Sequence, residues 1–141
     1  MSALALDTSV AIPFLMRSHR SHEFVRRSLN GESVVLTGHS LVECYSVLTR
    51  LPGDARVDPA DAARLIEANF GDPALVDPEQ AAALPGILVA HGISGGAVYD
   101  AVVGLAALSS GLTLATRDGR ARPTYDALGV ELRVIAGEPG Q

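Results

Sequence analysis

Four acidic residues in this chain stand where a carboxylate is hard to explain as a solvated surface group. Asp7 ends a short apolar run, Ala3 to Leu6, and Asp118 follows the run Leu112 to Ala115 by three residues. Asp100 is the only charge in the stretch Ala97-Val-Tyr-Asp-Ala-Val-Val-Gly-Leu-Ala-Ala-Leu108. A lone carboxylate in such a segment must neutralise, find a cation or face solvent. Its helical neighbours Gly96, Gly104 and Ala107 are small enough for another backbone to come close. Glu43 has a competing local role, because Ser40-Leu-Val-Glu43 reads as a capping box in which Glu reaches back to the first amide of a helix. Its neighbours Leu41, Val42 and Cys44 are apolar, which leaves Glu43 on a helix with few other charges. Four carboxylates meeting at one place could not all stay ionised without a counter-charge. A divalent cation supplies it, and an all-oxygen donor set with few protein ligands suits Mg²⁺ or Mn²⁺. Such sites hydrolyse phosphodiesters: the metal activates water and stabilises charge on the leaving oxygen.

The surrounding pattern predicts how these acids are positioned. Ala3–Leu6 is too brief for a helix and reads as a strand. Thr8 and Ser9 then offer N-caps for an apolar helix to Met16, with Pro13 tolerable in its first turn. His22 to Leu29 reads as a more polar helix closed by Asn30-Gly31, and Ser33 to Thr37 as a β-branched buried strand. Leu41, Cys44, Val47, Leu48 and Leu51 repeat at helical spacing behind Ser40. Asp58-Pro59 opens a helix with Ala62, Leu65, Ile66 and Phe70 on one face. Ala74 to Val76 reads as a minor edge strand. Asp77-Pro78 opens a helix to His91 that Pro85 and Gly86 kink or divide. An apolar helix behind Ser94, the strand Leu112–Ala115, a short helix Arg120–Leu128 and a last strand Glu131–Ile135 complete the order. Alternating strands and helices predict an α/β fold with a mostly parallel sheet covered on both faces. In such sheets the ligand lies beyond the carboxyl ends of the strands, at the switch point. Asp7 and Asp118 occupy that position, and they converge if their strands are neighbours.

Composition narrows the chemistry. The 141 residues are expected to form one domain over 1–135 with a flexible tail over 136–141. All 11 basic residues are Arg, so a Walker-type phosphate loop, Schiff-base catalysis and kinase chemistry, each needing Lys, are excluded. The net charge of −5 argues against a polybasic DNA binder. Setting the four acids aside leaves twelve acidic residues against eleven arginines, a surface that need not repel RNA. Aromatics are only 4%, so platforms for stacking nucleobases are scarce. One cysteine permits no internal disulfide. With no basic leader before Asp7 and no uncharged stretch long enough to span a bilayer, a cytoplasmic protein is expected.

The acids and their settings resemble those of PIN-domain ribonucleases, and the length and order of elements resemble the VapC toxins of type II toxin–antitoxin pairs. The resemblance rests on Asp7-Thr8-Ser9 after the first strand, Glu43 in Ser40-Leu-Val-Glu-Cys, Tyr99-Asp100-Ala101 in a late apolar helix, and Thr116-Arg117-Asp118 after a strand. It implies a three-layer α/β/α sandwich on a mostly parallel five-stranded sheet. It also implies a metal-dependent endoribonuclease acting on tRNA or rRNA. Asp7 and Asp100 would be the usual Mg²⁺ ligands, completed by Glu43 and Asp118 and supported by Thr116 and Ser9; Mn²⁺ may substitute for Mg²⁺. The implied partners are the RNA substrate, a VapB-type antitoxin that wraps the toxin, and a second copy in a homodimer, forming a heterotetramer or larger assembly with antitoxin. Arg117, Arg120 and Arg122 beside Asp118 are candidates for phosphate contacts. A catalytically silent PIN domain serving as an RNA-binding or interaction module is the alternative. A haloacid-dehalogenase-like phosphatase also places an Asp after its first strand but needs a second where Ser9 sits, and a Lys. His19 and His22 find no third metal ligand at suitable spacing, His39 could face the cleft, and Cys44 reads as a buried structural thiol.

Overall fold

A computed structural model describes residues 3–135 and 137. Four short strands, β1 (Leu4–Leu6), β2 (Val34–Leu36), β3 (Leu114–Thr116) and β4 (Leu132–Val134), form one parallel sheet in the order β2-β1-β3-β4. Eight helices connect them: α1 (Thr8–Leu15), α2 (His22–Ser28), α3 (Gly38–Thr49), α4 (Pro59–Asn69), α5 (Pro78–Ala82), α6 (Leu84–Ala90), α7 (Ala97–Ser109) and α8 (Arg122–Leu128).

The sheet is apolar on both faces because helices cover both. Leu4, Leu6, Val34, Leu36 and Ala115 pack with Val10, Phe14, Val25, Leu48 and Ile66 from α1 to α4. The alternate residues Ala5, Val35 and Leu114 pack with Val103 and Ala107 of α7 and Tyr125 of α8. This period-two division makes the three-layer α/β/α sandwich expected from the element order.

The expected fifth strand is reduced to one residue. Ala74 forms a parallel bridge with Thr37, its N–H donating to Leu36 O at 2.9 Å. Pro73 before it and Pro78 after it lack the N–H a ladder needs, and Leu75 turns outward at 60% exposed. The sheet therefore has four strands rather than five.

Two local expectations also shift. Pro13 lies in the second turn of α1, not its first, and its carbonyl oxygen lies 2.8 Å from His22 Nδ1. The helix expected behind Ser40 starts earlier, at Gly38, with Thr37 as its cap. The long helix after Asp77 does divide, but at Ala83 rather than at Pro85 and Gly86, which lie in the first turn of α6. The tail expected over 136–141 lies outside the described residues except for Gly137. Among the described residues no helix is long and apolar enough to cross a membrane.

Candidate active site

β1 is the switch point of the sheet, with β2 on one side and β3 on the other. Leu6 stands opposite Ala115 in the register of β1 and β3, and the Asp7 N–H donates to Ala115 O at 3.1 Å. The two carboxyl ends are thereby fixed side by side, as the convergence of Asp7 and Asp118 requires.

Asp7 is the centre of a hydroxyl network and is 5% exposed. Ser9 Oγ donates to its Oδ1 and Thr116 Oγ1 to its Oδ2. Tyr125 Oη donates to the same Oδ2 at 3.0 Å, from 118 residues away in sequence. Burial pushes the Asp7 carboxyl above its ordinary value, while these three hydroxyls and the Val10 N–H pull it back by stabilising the charged form. The donors are themselves held. Ser9 Oγ accepts the Arg117 N–H at 2.8 Å, and Thr116 Oγ1 accepts the Asp118 N–H at 3.1 Å.

The capping box assigned to Glu43 does not form. Thr37 Oγ1 accepts the Ser40 N–H at 3.2 Å, so Thr37, three residues before Ser40, is the cap. Glu43 is then a full turn inside α3, where its Oε2 meets His39 Nε2 at 3.1 Å. Asp100 enters from the first turn of α7, half-buried, with its carboxyl pushed up by desolvation and by the charges of Asp118, Asp7 and Glu43. Asp118 closes the circle, its Oδ1 accepting the Arg120 N–H at 2.9 Å.

All four acids line one small cavity of about 40 Å³, together with Thr8, Ser9, His39, Val103 and Tyr125. No arginine is among its lining residues, although the exposed Arg120 guanidinium lies 3.6 Å from Asp118 Oδ1, and the repulsion felt by Asp100 is opposed in part by His39. Thr116, fully buried beneath the cleft, supports Asp7.

The three arginines after β3 differ from one another. The Arg117 guanidinium turns to α2, donating to Ser21 Oγ at 3.1 Å and lying 5.8 Å from the Phe24 ring. Arg120 and Arg122 are exposed. Cys44 is buried, its thiol pushed up to about 12 by desolvation, and is no nucleophile.

Tyr125 is the site residue that the sequence does not reveal, although a lone phenol in the short helix Arg-Pro-Thr-Tyr-Asp-Ala-Leu is a weak sign of a buried polar handle. It reaches Asp7 because α8 lies close against α7 at Gly104. A Cβ there would meet Val130 Cγ2 at 2.9 Å and Tyr125 Cδ1 at 3.2 Å.

Comparison with known proteins identifies the family and the fold. The PIN domain matches residues 4–126. Ribonuclease VapC27 of Mycobacterium tuberculosis (strain ATCC 25618 / H37Rv) is 50% identical over 133 residues, covering 94% of this chain and 97% of that protein. Ribonuclease VapC40 of the same species is 41% identical over 133 residues, covering 94% and 98%. Among solved structures, FitAB bound to an IR36 DNA fragment aligns with a TM-score of 0.67 at 20% identity, covering 98% of this chain and 99% of that one. VapBC2 from Rickettsia felis, bound to a DNA fragment from its promoter, aligns at 0.64 with 11% identity, covering 94% and 98%. These structural likenesses concern the fold. With the domain matched over most of its length and one residue in two shared with a VapC protein, the chain belongs to the PIN-domain family, in its VapC branch.

Proposed function

We propose that this chain is a metal-dependent endoribonuclease and the toxin of a VapBC-type pair. The observation that carries the reading is the set of four carboxylates lining one cleft, whose arginine neighbour, Arg120 at 3.6 Å from Asp118 Oδ1, is exposed to solvent.

The donor set fits a hard, oxygen-preferring cation. Among the described residues no group of three or more Asp, Glu, His or Cys side chains stands ready to hold a metal ion by itself. A Mg²⁺ ion tolerates this, because it usually keeps several waters and takes one or two carboxylates. Asp7 and Asp100 would hold it, with Glu43 and Asp118 completing the site. When bound, the metal supplies an activated water and charge stabilisation on the leaving oxygen.

The chain's own residues do the positioning. Ser9, Thr116 and Tyr125 aim both oxygens of Asp7 and favour its ionised form. His39 holds Glu43, and the Arg120 amide holds Asp118.

RNA as substrate is supported by the names of the two VapC relatives and by the distribution of charge. Residues 17–27 and 117–122 carry seven of the eleven arginines against two acids, a net of +5, while the remaining four arginines face fourteen acids, a net of −10. Arg117 ties these two segments together through Ser21. Arg17, Arg20, Arg27, Arg120 and Arg122 are exposed there, and Arg120 Nε lies 3.6 Å from Asp118 Oδ1. A phosphate backbone would follow this surface into the cleft. The targets proposed are tRNA or rRNA.

The antitoxin would dock between α3 and α4. A groove of about 470 Å³ there is lined by Leu41, Tyr45, Ile66 and Phe70, and Val42 at its side is 69% exposed. Such a groove accepts an apolar helix face. A VapB-type partner is supported by the structural neighbour VapBC2, whose name pairs the two proteins. Helices α5 and α6 contribute no buried residue, and Val89 is 80% exposed, which suits a second copy of the chain.

The test is cleavage of RNA by the purified protein with Mg²⁺ or Mn²⁺ and its loss in EDTA. Co-expression with a VapB-type antitoxin should relieve toxicity and yield a complex. Equal cleavage in excess chelator overturns the metal assignment, and relief of toxicity without physical association overturns the pair.

A further inference from the structure

The chain has six aromatic residues, three Phe and three Tyr, and no Trp. Five are occupied. Phe14 packs on Phe70 at 5.7 Å between ring centroids, and the Arg26 guanidinium lies over the Phe14 ring. Phe24 is packed against the core beside Arg117, and Tyr125 is buried under Asp7. Tyr45 lines the groove between α3 and α4. Tyr99 remains, 61% exposed and immediately before Asp100 in the first turn of α7.

Its ring is not loose on the surface. It stacks on His39 with centroids 5.5 Å apart and planes 22° from parallel. His39 lines the cleft and pairs with Glu43 at 3.1 Å. One face of Tyr99 is thus backed by an imidazole that is itself tied to a site carboxylate, and the other face is open. An exposed, pre-positioned ring at the rim of a phosphodiester-cleaving cleft is suited to take a nucleobase by stacking, which every base permits.

We propose that the open face of Tyr99, backed by His39, is a nucleobase-stacking subsite for the nucleotide that flanks the cleaved phosphodiester of RNA. The proposal rests on the ribonuclease reading above. It assigns Tyr99 to substrate positioning and gives the Glu43–His39 pair a second task, holding the platform as well as the carboxylate. Because stacking is tolerant of base identity, the subsite fixes where a nucleotide sits rather than which one it is.

The absence of Trp provides a direct probe. Tyr99→Trp would keep the stack and give the protein a single tryptophan, whose emission is read from this position alone when it is excited at a wavelength that Tyr45 and Tyr125 do not absorb. With Ca²⁺ in place of Mg²⁺, so that binding is read without turnover, a short single-stranded oligoribonucleotide should quench that fluorescence. The same oligomer made abasic should bind less tightly and leave it unquenched. By anisotropy of a labelled oligoribonucleotide, Tyr99→Phe should bind like the wild type and Tyr99→Ala should lose roughly tenfold to a hundredfold in affinity. Each variant should keep the wild-type melting temperature, since the ring is exposed. Bound RNA with unquenched Trp, or wild-type affinity in Tyr99→Ala, overturns the subsite while leaving the ribonuclease reading intact, provided the wild type cuts RNA with Mg²⁺. A wild type that neither binds nor cuts RNA overturns both.

Discussion

At Asp7 two opposing influences on a carboxylate meet. Burial favours the neutral acid, and the hydroxyls of Ser9, Thr116 and Tyr125 favour the ion. Tyr125→Phe removes one donor without changing the packed ring. It should cost about 1 kcal/mol of stability, the usual net worth of a buried hydrogen bond, and lower cleavage several-fold without abolishing it. Chemical unfolding and an RNA cleavage assay check both. Asp100 contributes to the pH dependence in the same direction as Asp7. Its folded carboxyl lies above its ordinary value of 3.8, so the metal-free fold binds that proton more tightly than the unfolded chain does. Stability contributed there is fully present below 3.8 and is lost as pH rises from that value through the raised folded one. In EDTA, Asp100→Asn should therefore gain on the wild type in melting temperature as pH rises from that window to neutrality, and the gap should close on acidification.

Helix starts and helix contacts decide which acids the sequence makes visible. Asp7 and Asp118 are legible because strand ends are fixed by short apolar runs, and the switch-point rule then assigns them a place. Asp100 is legible as a charge in an apolar helix. Glu43 is obscured by the Ser-x-x-Glu pattern, because the sequence offers Ser40 as a cap. Yet Thr37, at the end of β2, takes that role and draws Gly38 and His39 into the helix. The fifth strand fails for a local reason of another kind, the prolines at 73 and 78. Tyr125 is barely legible, since its bond to Asp7 depends on the close approach of α7 and α8 at Gly104 rather than on any nearby pattern. That approach is testable. Gly104→Ala gains helix propensity of about 1 kcal/mol, but its methyl collides with Val130 and Tyr125. Overpacking of this kind costs roughly 1–3 kcal/mol. The variant should be no more stable than wild type by urea unfolding, and its cleavage rate should fall as Tyr125 is displaced.

Over the whole molecule, charge is sorted. In a chain of net −5, the segments 17–27 and 117–122 sum to +5, and Arg117 joins them through Ser21. Their contribution should be visible as salt dependence. Replacing Arg17, Arg20 and Arg27 together with Gln should lower the slope of log Kd against log salt for single-stranded RNA by about 2, near 0.7 for each phosphate no longer neutralised. Replacing Arg56 and Arg64, on the acidic remainder, should leave it unchanged. Fluorescence anisotropy across a salt series reads both.

The central claim is that the four acids hold a metal that cleaves RNA, and Asp100→Asn tests it most directly because the substitution keeps the side chain's shape and removes its charge. Thermal melts with and without Mg²⁺, beside an RNA cleavage assay, should show three things together. The stabilisation by Mg²⁺ should disappear, cleavage should fall by orders of magnitude, and the metal-free melting temperature should not drop, because one of several repelling charges has gone. A variant that melts lower without metal yet is still stabilised by Mg²⁺ and cuts RNA at the wild-type rate would contradict the account.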